Sequence, residues 1–372
     1  MPPSPNSRAI VLTEIEAMGG AERSVLALSR WLYQRNIPNH IVTCVDRIDL
    51  ASHAGHPLEV IQLRPPMRAR HKILALRRYF ASQPITVPKP LMSGYQPALH
   101  ATLAGLRGFH CLMHDTPSLF ENPEDPSTRA FKHRLARRLS DTITGYGLRS
   151  GGHTIVTSEF LRRECRRLFN LHTDIARMGG LTAATTFRPR PVTTELRLLS
   201  VSRIESNKRI DWLLRALSAL EEETPALSSR IDWRLDIAGR GSALEAMQHL
   251  AASLNLGVRV HFHGYIPDED LEDLYDNAHL FLMPAVQGYG IPAIEALSRG
   301  IPVLLHRDSG VSDILRTTPW ATVIEGSEDS MLPGLRRAID TTVTGAHLTS
   351  PLPSLPTEDK WAERVATLCN WI

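Results

Sequence analysis

The sequence predicts an α/β protein made of two Rossmann-like, doubly wound domains. Strands alternate with helices along most of the 372 residues, the alternation breaks once and restarts, and the length exceeds what one hydrophobic core usually serves. Consecutive strand–helix units give parallel sheets with helices on both faces. Ligands of such sheets sit outside the C-terminal strand edges, at the switch point of strand order. Two such domains facing each other across a cleft would make that cleft the default site.

Arg8–Thr13 (RAIVLT) is a short apolar strand, followed by Gly19-Gly20 and the segment AERSVLALSRWLYQRN. There Val25, Leu26, Leu28, Trp31 and Leu32 recur at helical spacing. His40–Val45 is the next strand, completing a βαβ unit. Later strands are expected at Cys111–Met113 and Thr154–Thr157. The stretch Phe187–Thr194 (FRPRPVTT) has two prolines and no apolar periodicity, and reads as a linker. The rhythm then restarts, with strands at Arg197–Val201, Trp233–Ala238, Val258–His263, Leu280–Met283 and Pro302–His306. Helices are expected between them at Ile210–Leu220, Leu244–Leu254, Asp268–Asn277 and Pro292–Arg299. Thr349–Pro356 is loop-like, and Glu358–Ile372 is a short final helix bearing Trp361, Leu368 and Trp371. The expected domains are residues 1–190, 191–350 and a terminal segment 351–372.

Composition narrows the function classes. Hydrophobic residues make up 42% and charged residues 22%, ordinary for a globular cytoplasmic protein. No apolar run reaches the ~18–20 residues of a membrane-spanning helix, and the opening MPPSPNSRAIVL lacks the features of a signal peptide. Cys44, Cys111, Cys165 and Cys369 are far apart, which argues against a zinc site or a disulfide framework. Sixteen histidines form no HExxH motif, so no metal is expected. Net charge is +3 but unevenly placed: residues 1–190 carry 26 Lys/Arg against 14 Asp/Glu, and residues 191–372 carry 16 against 25. The basic half suggests a polyanionic partner.

Four segments carry candidate chemistry. In MPAVQGYGIPAIEALSRGIPVLLHRDSGVSD (283–313) a strand ends, the loop Gln287-Gly288-Tyr289-Gly290 follows, and a helix opens near Ile291–Pro292. Glycines let backbone approach a ligand closely, and the helix end offers free N–H groups to an anion. Glu295, read as first-turn, is suited to accept ribose hydroxyls or simply to complement the helix dipole. In VSRIESNK, Arg203 and Lys208 flank a turn where both can converge on a diphosphate or lie solvated. In MGGAER, Gly19-Gly20 is a phosphate-facing turn or a plain tight turn. In CLMHDTP, His114 ends a strand, placed either to touch a sugar or move a proton, or as a structural histidine.

In this order and spacing, the segments resemble the retaining family-4 glycosyltransferases of GT-B fold, over roughly Ile10 to Ile372. The family motif of Glu, seven residues and Glu, with Gly-aromatic-Gly after the first Glu, is matched by Gly288-Tyr289-Gly290 and Glu295, with Gln287 replacing the first Glu. The resemblance implies that Arg203 and Lys208 grip the donor diphosphate, Glu295 holds the ribose, and Gly288 to Ile291 contact the transferred sugar. It also implies that Gly19 and Gly20 lie near the diphosphate, His114 near the reacting sugar, and Gly239-Arg240-Gly241 and Gly264-Tyr265-Ile266 near the base. Ser158-Glu159-Phe160 resembles a family stretch before the linker, and the C-terminal helix a segment crossing back to the first domain. In that reading the first domain binds the acceptor and the second the nucleotide sugar.

The implied activity is retaining transfer of a hexose from a nucleotide-diphosphate sugar, of GDP-mannose or UDP-glucose type, to a glycan or lipid-linked acceptor in polysaccharide biosynthesis. No metal or other cofactor is implied. Gln287 keeps an acceptor oxygen but loses the carboxylate charge, which leaves open a degenerate nucleotide- or glycan-binding relative. A sugar-nucleotide epimerase of the same fold is a third reading. Arg68, Arg70, Lys72, Arg77 and Arg78, around Ile73, Leu74 and Leu76, form a basic amphipathic segment, and Lys132–Arg138 a second basic run. They suggest either an anionic membrane surface or acceptor, placing the protein in the cytoplasm or peripherally at the inner face of the membrane, or solvated helix faces. Nucleic acid is not expected, for lack of a binding motif.

Overall fold

The computed structural model describes residues 6–66, 68–83, 88–116, 131–179, 187–223 and 232–372. Met1–Pro5 of the leader, Met67 of the basic segment and Pro117 of the His114 segment lie outside the described residues. The chain divides into two compact units, Met1–Leu181 with Pro356–Ile372, and Thr182–Leu355.

In the first unit, strands β1 (Arg8–Val11), β3 (Asn39–Thr43), β5 (Glu59–Gln62), β6 (Leu91–Ser93), β7 (His110–Met113), β8 (Thr154–Val156) and β9 (Asp174–Ile175) form one parallel sheet. Its order is β5-β3-β1-β6-β7-β8-β9. Two-residue strands β2 (Glu14–Ile15) and β4 (Val45–Asp46) pair separately. Helix α1 (Gly20–Gln34) buries Val25, Leu26, Leu28, Trp31 and Leu32, the stripe its 3.6-residue period dictates. Helices α2 (Ala69–Ala81), α3 (Tyr95–Leu103), α4 (Phe131–Leu148) and α5 (Glu159–Phe169) complete this part of the unit. Ser158 caps α5, its side chain accepting the Leu161 N–H, a local role for that serine.

The C-terminal helix α12 (Glu358–Leu368) belongs to the first unit. Trp361 and Trp371 are buried. The Trp371 indole N–H donates to Lys89 O at 3.3 Å, and Arg8 donates to Trp371 O at 3.0 Å. Arg30 of α1 makes a two-pronged ion pair with Glu358, so the segment is fixed by apolar burial and by bonds at both ends.

In the second unit, β10 (Glu195–Val201), β11 (Asp232–Ala238), β12 (Val260–Gly264), β13 (Leu280–Met283), β14 (Val303–His306) and β15 (Ala321–Ile324) form a parallel sheet. Its order is β12-β11-β10-β13-β14-β15, so the direction of winding reverses between β10 and β13. Leu198, Leu235, Ile237, Leu280, Leu282 and Leu304 from the strands meet Leu213, Leu214 and Leu217 of α6 (Ile210–Glu223) in one core. Helices α7 (Leu244–Ser253), α8 (Asp268–Asn277), α9 (Ile291–Ser298), α10 (Ser312–Leu315) and α11 (Met331–Thr344) follow their strands.

The stretch 187–194, read as a linker, is instead anchored on the second unit at its start. Arg188 N–H donates to Arg299 O at 3.1 Å, Arg190 pairs with Asp276 at 3.1 Å, and the Phe187 ring lies 5.7 Å from that of Trp320. Proline suppresses periodicity without preventing an extended segment from packing, so the pattern signalled a break where the structure has an attachment.

Candidate active site

The site is built on the C-terminal edge of the second sheet, where its winding reverses. After β10 the chain runs through Arg203 into a 3-10 turn, Ser206–Lys208, before α6 begins. After β13 it runs into Gln287. Lys208 Nζ donates to Gln287 Oε1 at 3.1 Å. This bond joins the loops after the two central strands, where ligands of a doubly wound sheet bind. The Gln287 amide N–H faces Met283 Sδ at 2.6 Å, so the stronger acceptor end points to the ammonium. The pair carries one positive charge, because the amide is neutral. Arg203, on the same loop, is exposed.

Glycines in the turn after the neighbouring strand β11 let three backbones meet. Gly239 has φ +140°, and a Cβ there would lie 1.8 Å from Ser202 O; at Gly241 it would lie 2.1 Å from Ile204 O. The contacts are hydrogen-bonded: Ser202 N–H to Ala238 O at 3.1 Å, Ile204 N–H to Arg240 O at 3.0 Å, and Gly239 N–H to Gly264 O at 2.7 Å. These turns therefore fix the path of the Arg203–Lys208 loop, a packing role distinct from contact with a ligand. Tyr265 is exposed beyond them, its ring 5.9 Å from the Arg240 guanidinium, and Ile266 is half-buried.

The loop Gly288-Tyr289-Gly290 is buried and tied from below. Tyr289 O accepts Val311 N–H at 3.0 Å and the Ser309 hydroxyl at 3.1 Å, and Gln287 O accepts Gly310 N–H at 3.0 Å. Gly290 has φ +125°, and a Cβ would lie 2.6 Å from Met283 Cε and 3.0 Å from Gln287 Nε2, so any side chain would push on the residue that holds Lys208. Helix α9 then opens at Ile291, with Pro292 in its first turn, and its positive end lies beside the cationic loop.

Glu295 departs from expectation. The helix begins at Ile291, so Glu295 is its fifth residue and falls beyond the first turn. It is 6% exposed and accepts the Tyr275 hydroxyl at 3.0 Å. A buried carboxylate held this way is no surface dipole charge. Beside it, Arg299 donates to Glu295 O at 3.2 Å and pairs with Glu272 at 3.0 Å, its guanidinium 4.6 Å over the Tyr275 ring.

The other candidates lie in the first unit. The Gly19 N–H donates to the Glu22 carboxylate at 3.1 Å, so the Gly19-Gly20 turn carries a helix-capping acid in the place read as facing a phosphate. The signal was present in the sequence, as Glu three residues after an N-cap. His114 is half-buried at the end of β7, its Nε2 2.9 Å from the Ser93 hydroxyl. Burial pushes its pKa down to about 4. At neutral pH it is an uncharged imidazole, suited to hydrogen bonding rather than to delivering a proton. Of the basic segment, Arg68, Arg70, Arg77 and Arg78 are exposed. Lys72 is not: it is 5% exposed and ion-paired with Glu14, because its place on α2 turns it inward. Among the described residues, no helix is long and apolar enough to cross a membrane, and no group of three His, Cys, Asp or Glu could hold a metal ion.

Sequence reasoning passed over Arg209. It follows Lys208 in a left-handed conformation, φ +56°, with its guanidinium 4.9 Å from the centre of the Trp212 ring. A non-glycine residue at positive φ cannot be read from spacing.

Residues 184–340 match the family model described as glycosyl transferases group 1. Over 166 residues the chain is 31% identical to a GDP-mannose-dependent alpha-(1-6)-phosphatidylinositol monomannoside mannosyltransferase of Mycolicibacterium smegmatis, covering 40% of this chain and 42% of that protein. Over 175 residues it is 30% identical to O-antigen chain mannosyltransferase B of Escherichia coli, covering 43% and 45%. The matches thus span less than half the length of these relatives. The crystal structure of Anabaena HepE in complex with UDP and glucose superposes with a TM-score of 0.72 over 99% of this chain and 100% of that one, at 13% identity. That likeness is one of fold, and the fold is GT-B.

Proposed function

We propose that this chain, whose residues 184–340 match the glycosyl transferases group 1 family model, is a retaining hexosyltransferase that takes its sugar from a nucleotide-diphosphate donor bound on the second unit. The observation that carries the proposal is the 3.1 Å bond between Lys208 and Gln287 at the reversal of strand order. Breaking the bond between sugar and diphosphate leaves negative charge on the departing nucleoside diphosphate. Lys208, Arg203 and the positive end of α9 are set to stabilise it as it develops. Preorganised charge of this kind does in other transferases what a metal ion does. The Gly288–Ile291 backbone then borders the sugar, and Glu295 offers its carboxylate to the ribose. The acceptor hydroxyl attacks from the departing face, its proton passing to the leaving phosphate. The mannosyltransferase relatives support a GDP-mannose donor, and the UDP and glucose bound by HepE keep UDP-glucose in the panel.

The acceptor belongs on the first unit, in this reading a glycan or lipid-linked sugar of surface polysaccharide assembly. Support comes from its charge and from helix α4, where Leu135 and Leu139 are exposed alongside Lys132, Arg134 and Arg138. Helix α2 repeats the pattern, with Leu74 exposed among Arg70, Arg77 and Arg78. Apolar side chains ringed by cations suit an anionic bilayer surface, which would place the protein peripherally at the inner face of the membrane.

Calorimetric titration of UDP and GDP tests the donor site. Lys208→Ala is expected to weaken binding of the preferred nucleotide about tenfold or more, since a charge-assisted bond contributes about 1.5–3 kcal/mol. Equal affinity in the variant would contradict the assignment.

A further inference from the structure

Arg209 stands out among the cations of the second unit. Its backbone is held at φ +56° and ψ +34°, a region that Arg enters at a cost. Its guanidinium lies 4.9 Å from the Trp212 ring centre, which clamps it in place. Its Nε is buried without a hydrogen-bond partner, and among the described residues no carboxylate pairs with its guanidinium. Several other arginines of this unit are paired, among them Arg197 with Glu195, Arg234 with Asp236, Arg299 with Glu272 and Arg307 with Glu325.

Its position makes the lack of a partner more telling. Lys208 and Arg209 sit together at the N-terminal end of α6, where the helix dipole adds further positive potential. The acid in the first turn, Asp211, is already engaged by Arg215 at 3.2 Å. Two adjacent cations at the positive end of a helix repel each other and the dipole. A strained backbone, a clamped side chain and uncompensated charge together describe a residue waiting for an anion.

We propose that Arg209 is a further anion-holding residue of the donor site, taking a phosphate oxygen of the nucleoside diphosphate beside Lys208. The proposal rests on the donor reading given above. Trp212 holds the guanidinium so that little side-chain freedom is lost on binding.

The test uses Arg209→Gly and Arg209→Asn in the full chain. Both residues accept positive φ, so they remove the cation without adding strain. UDP and GDP are titrated calorimetrically at low and high salt, and thermal unfolding is followed without nucleotide. The expected result is about a tenfold weaker Kd in both variants, a shallower salt dependence, and a Tm no more than about 2 °C below that of the parent. An unchanged Kd in both variants would overturn the proposal, as would a loss of affinity matched by a collapse in Tm, which would assign Arg209 to the fold. A Lys208→Ala effect without an Arg209 effect overturns this inference alone, whereas no effect from any of the three removes the donor site itself.

Discussion

Lys208 and Gln287 are 79 residues apart in sequence and 3.1 Å apart in space, so the chemistry of the site depends on which acceptor the amide presents. Replacing Gln287 by Glu keeps the shape but brings the pair from one positive charge to zero, next to the proposed diphosphate site. Gln287→Glu is expected to weaken UDP or GDP binding about three- to tenfold, of the order of the ~1 kcal/mol that a unit charge contributes in a partly solvated site. Calorimetry at fixed salt reads it directly, and tighter binding would show that the neutral amide does not serve the anion. Gly239→Ala makes the opposite kind of demand, on backbone alone. With φ +140° and Ser202 O 1.8 Å from the new Cβ, the loops after β10 and β11 must part. A loss of about 3 kcal/mol or more in urea unfolding is expected, and a change below about 1 kcal/mol would contradict the close approach.

At this scale the sequence was readable where residues act through local chemistry. Gly288, Gly290 and Pro292 punctuate the chain, so the loop and the helix start after it were visible. The Arg203–Lys208 turn was visible as a polar, charged break between an apolar strand and an amphipathic helix. What failed depended on distant partners or on one residue of phase. Lys72 looked solvent-facing because Glu14, which pairs with it, lies 58 residues earlier. Glu295 was placed one residue too early in its helix because helix boundaries are uncertain by a residue or two, and its carboxylate is held by Tyr275.

Among elements, the first unit's sheet carries a pH liability. His40 and His110 are nearly fully buried, and their pKa values are lowered to about 4. Desolvation is the main cause in both, with nearby His153 and Lys89 adding positive charge at His110. In the unfolded chain they titrate near 6.5. Between about 4 and 6.5 the unfolded state therefore binds more protons, so stability is full above about 6.5 and falls as pH drops toward 4. Urea unfolding at pH 7.5 and pH 5 should differ by roughly 2–4 kcal/mol, each histidine contributing up to about 1.4 kcal/mol per pH unit. Equal stabilities would show that these histidines protonate without cost. The C-terminal helix is the other dependency. Ending the chain before Pro356 removes the buried Trp361, Ala362, Val365 and Trp371. The first unit's Tm should then fall well below that of the full chain in calorimetric scans. An unchanged Tm would contradict its place in that core.

Elements with strong periodicity and clear ends were legible: α1, strands β10 to β14 and α8 fall within a residue or two of where the pattern put them, whereas β15 was not read. Short strands such as β5 and β6, of four and three residues, left too little pattern to read. The attachment at 187–194 was invisible because its partners, Arg299, Asp276 and Trp320, lie far along the chain.

For the whole molecule, both sheets share one winding logic. In each, the first three strands run outward in one direction and the later ones in the other, so each has its reversal beside its first strand. In the second unit this point holds Lys208 and Gln287, and in the first the edge beyond it carries Ser93 and His114. Charge separates the halves as well, 26 Lys/Arg against 14 Asp/Glu in residues 1–190. If that surplus and the exposed Leu135 and Leu139 serve a bilayer, the protein should sediment with vesicles containing anionic phosphatidylglycerol at low salt and be released at high salt. Equal sedimentation with neutral phosphatidylcholine vesicles would contradict the electrostatic part of that reading.

Sugar transfer from a nucleotide-diphosphate donor frees the nucleotide, so nucleotide release reads the proposed reaction itself. The purified chain would be incubated with GDP-mannose, UDP-glucose and related donors, with and without a lipid-linked acceptor extract, in EDTA. The expected result is acceptor-dependent release of GDP or UDP that is lost in Lys208→Ala. Nucleotide binding without release from any donor, with the extract shown to support a known transferase, would contradict transfer and leave a binding protein in its place.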